Sequence, residues 1–552
     1  MTAPLITVVN LNIAIGANQI VQDLSFELAP GQCVALVGES GAGKSMTGRA
    51  LMGLLPSAAT SSAQSFALFG QDFYAADASG GKGGPVAERR WRAIRGANIG
   101  LVSQDALVSM DPLRRVGQEV GEPLVIHAPE LNRGARTQRV HELLSRVAIP
   151  MPHERARQYP HELSGGLRQR ALIAAGLAAQ PQVLIADEPT TALDATVAAQ
   201  VLDLLGEIKR DGTALVLISH DLLAVSQLAD YVLVMKDGRV VEQGAMDQVL
   251  GNPQQPYTRE LVAAVPDGTP LVGAVTDDSV PDASPGRQAP PSNVVLQASN
   301  LRKVYRMPGG QQLVAVAGAD LNLKKGQTLG LVGESGSGKS TIAKMLLALE
   351  TPDAGRVLLH GEPWNDGSVT ESQRRGRRWR MQLIPQDAYS AMNHRWTVAK
   401  IIGEFLDARQ RLHNQPALSK DLSRDRAAEL LAQVGLEPEY LTRKPGQLSG
   451  GQRQRVAIAR ALAMDPEVLI CDEPVSALDV TVQDQVVRLL ARLQKDLGLA
   501  MVFISHDLAV VRQLAHHIMV LKDGEVVEAG TADQVYEQPS HPYTRELLAA
   551  RS

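Results

Sequence analysis

The chain repeats itself, because motifs from its first half return in the same order in its second half. Four motifs carry the repeat: GESGAGKS at 38–45 and GESGSGKS at 333–340, ELSGGLRQR at 162–170 and QLSGGQRQR at 447–455, VLIADEP at 183–189 and VLICDEP at 468–474, and ISHD at 218–221 and 504–507. The offset is 295 residues for the first pair and 285 for the second. Solenoid repeats are much shorter than this, so the pattern predicts two copies of one whole domain.

The spacing of the motifs and a change in composition place the domain boundaries. We predict a first domain over 1–265 and a second over 294–552. The segment between them, 266–293, is rich in Pro, Gly, Ser and Asp and poor in aromatic residues, which predicts an extended tether. A glycine-rich stretch at 79–85 occurs in the first copy only and predicts a surface loop.

Composition narrows the class of protein. The chain has 552 residues and a net charge of −4, which argues against a nucleic-acid binder. Arginine runs at 89–95 and 374–380 predict a solvated face in preference to a basic groove.

Cys33 and Cys471 lie in apolar runs and predict small core side chains in a reducing compartment. No apolar run reaches the roughly 20 residues of a spanning helix, so any passage through a membrane must come from other subunits.

The pattern GxxxxGK[ST] is a phosphate-binding loop. Its glycines let backbone N–H groups surround phosphate oxygens, the lysine reaches the outer phosphates, and the hydroxyl meets Mg²⁺. In each copy an apolar strand pattern precedes the loop and a helical pattern follows it, which puts the anion at a helix N-terminus. The predicted phosphate-binding residues are Gly38, Ser40, Gly41, Gly43, Lys44 and Ser45, and Gly333, Ser335, Gly336, Gly338, Lys339 and Ser340.

Three polar residues in each copy stand at the ends of buried strand patterns, where ligands bind in parallel sheets. Asp187 and Asp472 are predicted to hold Mg²⁺. Glu188 and Glu473 follow them and are predicted general bases for the attacking water. His220 and His506 end the next strand pattern and are predicted to donate to the γ-phosphate.

The LSGG motif is a second candidate anion site. Ser164 and Ser449 each open a helical stretch, and its N-terminus has free N–H groups beside small glycines. One domain with two phosphate sites about 120 residues apart indicates that the second site serves the nucleotide of another domain.

The phosphate loop, LSGGQ, acid pair and histidine, in this order, resemble the ABC ATPase family. The resemblance implies an α/β fold: two tandem P-loop domains, each with a mostly parallel core sheet flanked by helices, an antiparallel β subdomain and a helical signature subdomain. It also implies a head-to-tail pair of cassettes with two ATP molecules between them. Lys44 and Ser45 would then share one ATP with Ser449 and Gly451, and Lys339 and Ser340 would share the other with Ser164 and Gly166.

The same resemblance assigns further residues. Gln104 and Gln386 match the family glutamine that touches Mg²⁺ and faces the membrane subunit, and Asp194 and Asp479 match a loop that crosses the dimer interface. The remaining nucleotide-binding residues implied in this way are Gly165, Gly450, Gln452 and Tyr305.

Each composite site departs once from the family pattern. Tyr305 fits the aromatic on which adenine stacks, whereas the first copy has Ile15 there. The first signature has Leu167 where the second has Gln452. We therefore expect weaker nucleotide binding at the site that uses Ile15, with hydrolysis retained.

PYTREL at 256–261 and again at 542–547 resembles the tail of the oligopeptide, dipeptide and nickel importer ATPases. The resemblance implies the fused ATPase subunit of a peptide importer, peripheral on the cytoplasmic face of the inner membrane. Its partners would be two transmembrane permease subunits and an extracytoplasmic solute-binding protein, without nucleic acid. The cargo would be peptides or related small solutes, with nickel or other metal chelates as the alternative.

A different class of function is a soluble twin-cassette ATPase acting on ribosomes or DNA. Such translation factors carry a long, charged, helical segment between cassettes, and the DNA-repair relatives carry zinc-binding cysteines. The sequence between these copies is short and rich in Pro and Gly, and it has no cysteine. An unrelated kinase or GTPase would give no reason for LSGG. We therefore favour the importer.

Overall fold

The computed structural model describes residues 3–73, 88–104, 109–191, 193–272, 293–306, 312–476 and 478–549. The glycine-rich stretch predicted at 79–85 and most of the tether predicted at 266–293 lie outside these residues. The described chain divides into two compact units, with the division after Val265.

The first unit is a single mixed sheet with helices on its faces. Its strands are β1 (Ile6–Ile15), β2 (Asn18–Leu28), β3 (Cys33–Val37), β4 (Ala59–Ser62), β5 (Ser65–Leu68), β6 (Gln71–Asp72), β7 (Ile99–Val102), β8 (Val183–Asp187), β9 (Ala214–Ser219), β10 (Tyr231–Lys236) and β11 (Arg239–Ala245). Their order in the sheet is β6-β5-β1-β2-β11-β10-β3-β9-β8-β7, and β4 also pairs with β1. Strands β10, β3, β9, β8 and β7 are parallel, whereas β1 pairs antiparallel with β2, β4 and β5.

The sequence of the central strands explains their place. Every residue of β3 and β9 is buried, so both faces of the sheet are covered and each position takes an apolar or small side chain. The helices of this unit are Lys44–Leu51, Glu88–Ile94, Val116–His127, Arg133–Arg146, Pro152–Arg155, Gly165–Leu177, Ala195–Arg210, Leu222–Leu228, Met246–Gly251 and Pro256–Ala263. Val116–His127, Arg133–Arg146 and Gly165–Leu177 pack on one another and form the helical subdomain.

The second unit repeats this plan. Its strands are β12 (Val294–Arg306), β13 (Gln312–Lys324), β14 (Thr328–Val332), β15 (Ala354–Leu359), β16 (Glu362–Asn365), β17 (Met381–Ile384), β18 (Val468–Asp472), β19 (Ala500–Ser505), β20 (His517–Lys522) and β21 (Glu525–Thr531). The sheet order is β16-β15-β12-β13-β21-β20-β14-β19-β18-β17. The helices are Lys339–Leu346, Glu371–Arg375, Val398–Leu412, Lys420–Gln433, Gly450–Leu462, Val480–Leu497, Leu508–Leu514, Ala532–Glu537 and Pro542–Ala549.

The predicted fold class is confirmed in both units: a mostly parallel core sheet continues into antiparallel strands, and a helical subdomain carries the LSGG motif. Cys33 and Cys471 are buried and free, as predicted. Among the described helices, none is both long enough and apolar enough to span a membrane.

Carboxylates pair with some arginines of each arginine-rich run. Arg378 pairs with Glu371 at 2.5 Å in the second unit, and Arg95 pairs with Glu88 at 2.7 Å in the first. Exposed ion pairs of this kind contribute little to stability. The solvated face stays the prediction for both runs.

Candidate active sites

Each phosphate loop connects a central strand to a helix. In the first unit β3 ends at Val37 and the helix begins at Lys44. Gly38 and Gly43 have φ of 148° and 98°. A Cβ atom on Gly38 would lie 2.1 Å from the carbonyl oxygen of Met235, and one on Gly43 would lie 2.7 Å from that of Ile20. Only glycine fits these two positions, and the loop therefore presents backbone rather than side chains to a ligand.

The lysine of each loop is buried and held by loop carbonyls. Lys44 Nζ donates to the carbonyl oxygens of Gly38 at 2.6 Å and Glu39 at 2.9 Å. Lys339 Nζ makes the matching bonds in the second unit, both at 2.7 Å. Burial lowers the pKa of both lysines, and the carboxylate of the nearby Glu188 or Glu473 opposes that shift. The ammonium therefore sits among fixed dipoles with little water around it, where an anionic phosphate would be strongly attracted.

A hydroxyl and a carboxylate meet beside the start of each helix. Ser45 Oγ donates to Asp187 Oδ1 at 3.0 Å, and Ser340 Oγ donates to Asp472 Oδ1 at 3.1 Å. Burial raises the pKa of both aspartates, while the serine hydrogen bond opposes that shift. A half-buried carboxylate next to a serine oxygen is the hard oxygen donor set that Mg²⁺ takes together with phosphate oxygens. The residues present therefore fit Mg²⁺.

The glutamate that follows each aspartate has an unusual backbone. Glu188 and Glu473 have φ of 50° and 46°, in the left-handed region that few residues other than glycine adopt. Their N–H groups donate to the carbonyls of Ile218 at 2.8 Å and Ile504 at 3.0 Å on the neighbouring strand. These bonds hold the backbone so that the carboxylate stands beyond the strand end.

Three side chains surround the carboxylate of Glu188. Gln104 Nε2 donates to its Oε2 at 2.8 Å, Thr191 Oγ1 donates to the same oxygen at 3.0 Å, and His220 Nδ1 lies 3.3 Å from Oε1. Burial alone would raise the pKa of Glu188, but the hydrogen bond and charge of His220 lower it overall. Burial likewise opposes the charged form of His220, yet Glu188 raises the pKa of the imidazole. The glutamate is therefore ionised at neutral pH and able to polarise a water.

The second unit holds its glutamate more loosely. Gln386 Nε2 donates to Glu473 Oε2 at 3.2 Å, and His506 Nδ1 lies 3.7 Å from the same oxygen. Ser476, at the position of Thr191, donates instead to the backbone carbonyl of Glu473 at 3.1 Å. Burial raises the pKa of Glu473, but His506 lowers it overall. The two units thus place the same residues with different spacing.

The signature serines cap their own helices. Ser164 Oγ accepts from Leu167 N–H at 3.4 Å. Ser449 Oγ accepts from Gln452 N–H at 3.3 Å, and Gln452 Oε1 accepts from Ser449 N–H at 3.0 Å, which completes a capping box. Gln452 Nε2 also donates to the hydroxyl of Tyr440 at 3.1 Å. Leu167 has no side-chain polar group with which to make either bond, so the two signature loops are built differently.

The second glycine of each signature is needed for packing inside its own unit. A Cβ on Gly166 would lie 2.3 Å from Val197 Cγ1, and one on Gly451 would lie 2.2 Å from Val482 Cγ1. A Cβ on Gly165 would meet its nearest atom, Leu193 Cδ2, only at 3.8 Å. The sequence suggested small residues for access of an anion; the structure adds close contact with the next helix as a reason for the second glycine.

The structure brings one subset of the predicted residues together. In each unit the serine of the phosphate loop bonds the aspartate, and the next residue, the glutamate, accepts from the glutamine and lies beside the histidine. The other predicted residues lie outside these groups. The signature residues stand at the start of the helices Gly165–Leu177 (Ser164, Gly165 and Gly166) and Gly450–Leu462 (Ser449, Gly450 and Gly451). Asp194 and Asp479 precede the helices that start at Ala195 and Val480, while Tyr305 lies near the end of β12 and Ile15 ends β1. Tyr305 is half-buried, with Lys303 Nζ 5.6 Å from its ring centroid.

Sequence reasoning missed two tyrosines at these sites. The hydroxyl of Tyr257 accepts the N–H of Glu39 in the first phosphate loop at 3.2 Å, and the hydroxyl of Tyr543 accepts the N–H of Glu334 in the second at 3.0 Å. Both belong to the repeated PYTREL, whose resemblance to the importer ATPases says nothing about a contact with the phosphate loop. Its recurrence at the same place after each copy was the available signal.

Comparison with known proteins agrees with this geometry. The family model described as ABC transporter matches residues 21–191 and 316–476. The model described as oligopeptide/dipeptide transporter, C-terminal region, matches residues 241–292 and 527–551.

Two curated relatives extend over almost the whole chain. The peptidoglycan transport ATP-binding protein YejF of Agrobacterium fabrum is 42% identical over 561 residues, covering 100% of this chain and 96% of that protein. The glutathione import ATP-binding protein GsiA of Escherichia coli K12 is 39% identical over 570 residues, covering 99% and 89%. An archaeal ribosome recycling factor, solved with a ribosomal stalk protein, shares 21% identity with a TM-score of 0.58 over 94% of this chain and 89% of that one, which shows the fold alone. The chain therefore belongs to the ABC transporter ATP-binding proteins, with two ABC ATPase cassettes and, after each, the C-terminal region of the oligopeptide/dipeptide transporters.

Proposed function

We propose that the chain is the ATP-hydrolysing subunit of an importer of peptides or related small solutes. The observation that carries this proposal is the doubled C-terminal region together with near full-length similarity to proteins named for peptidoglycan transport and glutathione import. The cluster of phosphate loop, acid pair, glutamine and histidine in each unit supports ATP hydrolysis as its chemistry. Nickel or other metal chelates are the alternative cargo.

The two ATP sites are composite in this proposal. Lys44 and Ser45 bind one ATP together with Ser449 and Gly451 of the second signature. Lys339 and Ser340 bind the other with Ser164 and Gly166. Each signature serine caps a helix whose first turn offers unpaired N–H groups to an anion, which supports a role in binding phosphate.

Hydrolysis follows from the cluster around each glutamate. In the first unit Lys44 and the N–H groups of the loop bind the outer phosphates. Ser45, Asp187 and Gln104 would hold Mg²⁺, which would neutralise phosphate charge there. Glu188 accepts a proton from the attacking water, whose oxygen forms the new bond to the γ-phosphorus as the bond to the β-phosphate oxygen breaks. Lys339, Ser340, Asp472, Gln386 and Glu473 have the same roles in the second unit.

His220 and His506 lie beside the glutamates, with Nδ1 3.3 Å and 3.7 Å from a carboxylate oxygen. Their imidazoles donate to the γ-phosphate and stabilise the ionised carboxylate beside them. Asp194 and Asp479 are assigned to the interface between the two cassettes, and Tyr305 to adenine. Ile15 offers no ring to the other adenine, so the two sites differ in affinity in this proposal.

The partners are two transmembrane permeases and an extracytoplasmic solute-binding protein, with the chain peripheral on the cytoplasmic face of the inner membrane. Gln104 and Gln386 bond directly to the catalytic glutamates, at 2.8 Å and 3.2 Å. A permease that moves the segment after either glutamine would therefore shift the carboxylate, and ATP would bias the permease in return.

Reconstitution tests this proposal. The chain is co-expressed with candidate permeases of a peptide importer, placed in liposomes, and assayed for ATP hydrolysis with and without the loaded binding protein. We expect stimulation by the peptide-loaded protein, and a metal chelate as the only stimulating cargo would favour the alternative. Co-purification with ribosomes or DNA and with no permease would contradict the importer.

The double variant Glu188→Gln, Glu473→Gln tests the assignment of the bases. Glutamine keeps the size and the left-handed backbone can be retained, but the amide cannot take the proton from water. We expect bound ATP to persist and turnover to fall by at least about 100-fold, the lower range for a positioned proton acceptor. Glu154→Gln, at an exposed position of the helix Pro152–Arg155, is the matched control. Hydrolysis near the parent rate in the double variant would reject the assignment.

A further inference from the structure

The C-terminal helices each place a tyrosine against the phosphate loop of their own unit. The hydroxyl of Tyr257 lies 3.2 Å from the backbone N of Glu39, and the hydroxyl of Tyr543 lies 3.0 Å from that of Glu334. The two tyrosines are 6% and 2% exposed. The contact occurs twice, in segments that lie beyond the residues matched by the ABC transporter model and inside the C-terminal region.

The bonded N–H belongs to the first peptide of the loop. That peptide unit joins Gly38 to Glu39: its N–H donates to Tyr257, and its carbonyl oxygen, on Gly38, accepts from Lys44 Nζ at 2.6 Å. The tyrosine hydroxyl and the phosphate-binding ammonium therefore hold opposite ends of one peptide plane. Hydrogen bonds in series polarise one another, so fixing one end strengthens the other.

The second unit has the same chain of bonds. Glu334 N–H donates to Tyr543, and the carbonyl of Gly333, in the same peptide unit, accepts from Lys339 Nζ at 2.7 Å. Without the tyrosine, the N–H end of this peptide would lose its partner, and the carbonyl that orients the lysine would be held less firmly.

The tyrosines are themselves held in place. Glu242 in β11 accepts the N–H groups of Gln254 at 2.8 Å and Gln255 at 3.0 Å, directly before the helix that carries Tyr257. Glu528 in β21 accepts Ser540 N–H at 2.7 Å in the same way. Bonds from backbone N–H groups to an ionised glutamate are charge-assisted, and they fix where the helix begins and with it the position of the ring.

A lysine ammonium lies over each tyrosine ring. Lys236 Nζ lies 4.5 Å from the ring centroid of Tyr257, and Lys522 Nζ lies 4.5 Å from that of Tyr543. Lys236 follows Met235, whose carbonyl oxygen lies so near Gly38 that a Cβ on Gly38 would be 2.1 Å from it. The end of β10 therefore supports both the tyrosine and the loop that the tyrosine bonds. Burial raises the pKa of both phenols, so the hydroxyls stay neutral.

We propose that Tyr257 and Tyr543 are positioning residues of the two nucleotide sites: each hydroxyl fixes the first peptide of its phosphate loop and, through it, the lysine that binds the outer phosphates. The C-terminal segment after each cassette is thereby part of the machinery that sets nucleotide affinity. This inference rests on the nucleotide binding of the family and holds whatever the cargo of the chain.

The double variant Tyr257→Phe, Tyr543→Phe removes only the hydroxyls, because phenylalanine keeps the ring, its burial and its contact with the lysine. The full chain is titrated with MgADP by calorimetry, and its ATP hydrolysis is followed at steady state. Loss of one such bond at each site is expected to weaken MgADP about 3- to 10-fold. The KM for ATP rises by a similar factor while kcat stays within about twofold, because the lost interaction orients the loop in the ground state and the transition state alike.

Tyr536→Phe is the matched control. Tyr536 lies in the same C-terminal region, and its ring also carries a cation, Arg512, at 4.2 Å. We expect Tyr536→Phe to bind MgADP as the parent does. Should the double variant unfold, the single variants Tyr257→Phe and Tyr543→Phe decide, since each is expected to weaken one of the two sites. Unchanged MgADP affinity in the folded variants overturns the proposal, and so does an equal loss in Tyr536→Phe or a loss of kcat and melting temperature without a change in KM.

Discussion

The two glycines of the signature motif should respond oppositely to alanine. In the helix Gly165–Leu177, a Cβ on Gly165 has no neighbour closer than 3.8 Å, whereas a Cβ on Gly166 would lie 2.3 Å from Val197 Cγ1 and 3.3 Å from its Cγ2. Both atoms of that valine side chain would have to move. Gly165→Ala and Gly166→Ala are therefore adjacent, chemically identical changes with different packing consequences.

The magnitude follows from two opposing effects. Alanine in place of glycine within a helix gains up to about 1 kcal/mol in the free energy of unfolding, and this gain applies to both variants. Overpacking costs about 1–3 kcal/mol, and it applies only to Gly166→Ala. The two variants should then differ by about 1–3 kcal/mol, with Gly165→Ala the more stable. For a unit of this size the difference corresponds to roughly 2–10 °C in melting temperature.

Calorimetric melting of the full chain measures this difference, and Val197→Ala separates its cause. Shortening the valine makes room for the new methyl group, so the pair Gly166→Ala with Val197→Ala should be more stable than the sum of the single changes predicts, by about 1 kcal/mol. Gly450 and Gly451 offer the same comparison in the second unit, against Val482. Equal melting temperatures for Gly165→Ala and Gly166→Ala, or strict additivity with Val197→Ala, would refute the packing argument.

Three further results are expected. Ile15→Tyr should tighten ATP binding at one site by up to roughly 1–3 kcal/mol, the range for stacking a base on an aromatic ring, and Tyr305→Ile should weaken the other; unchanged affinity in both by calorimetry would reject the adenine assignment. His220→Gln should lower the melting temperature more at pH 6 than at pH 9. Because the pKa of His220 is raised, the stabilisation from its charged form is complete below about pH 6.5 and is lost as pH rises through that pKa, whereas the lowered pKa of Glu188 keeps the carboxylate charged at both pH values. An equal drop in melting temperature at the two pH values would contradict the pairing. Gln452→Leu should cost about 0.5–2 kcal/mol of unfolding free energy through loss of the capping box, seen as a lower melting temperature; no change would show that the box contributes nothing.

The fold was predictable because its strongest signals are local. A buried strand that runs into a glycine loop and then a helix is visible in CVALVGESGAGKS alone, and the acid pair at the end of VLIADEP marks the neighbouring strand. Because the domain is duplicated, each of these motifs occurs twice in the chain. Serine, aspartate, glutamate, glutamine and histidine were expected near each phosphate loop, and the distances in each unit bring them together.

What could not be predicted depends on contacts between residues far apart in the chain. Nothing in the sequence indicates that Tyr257 bonds Glu39, 218 residues away. The difference between Leu167 and Gln452 is visible in the sequence, but Tyr440, the partner that Gln452 bonds, is not. The need for glycine at 166 is set by Val197, a residue of another helix whose approach is fixed only in three dimensions.

The backbone of Glu188 and Glu473 has a consequence for how such a protein changes under selection. A left-handed residue other than glycine costs roughly 1–2 kcal/mol, and glycine at either position would remove that cost. It would also remove the carboxylate. A search for more stable versions of this chain that scored folding alone would therefore be drawn toward replacing the two proposed catalytic bases, and only a screen that also demands turnover would retain them.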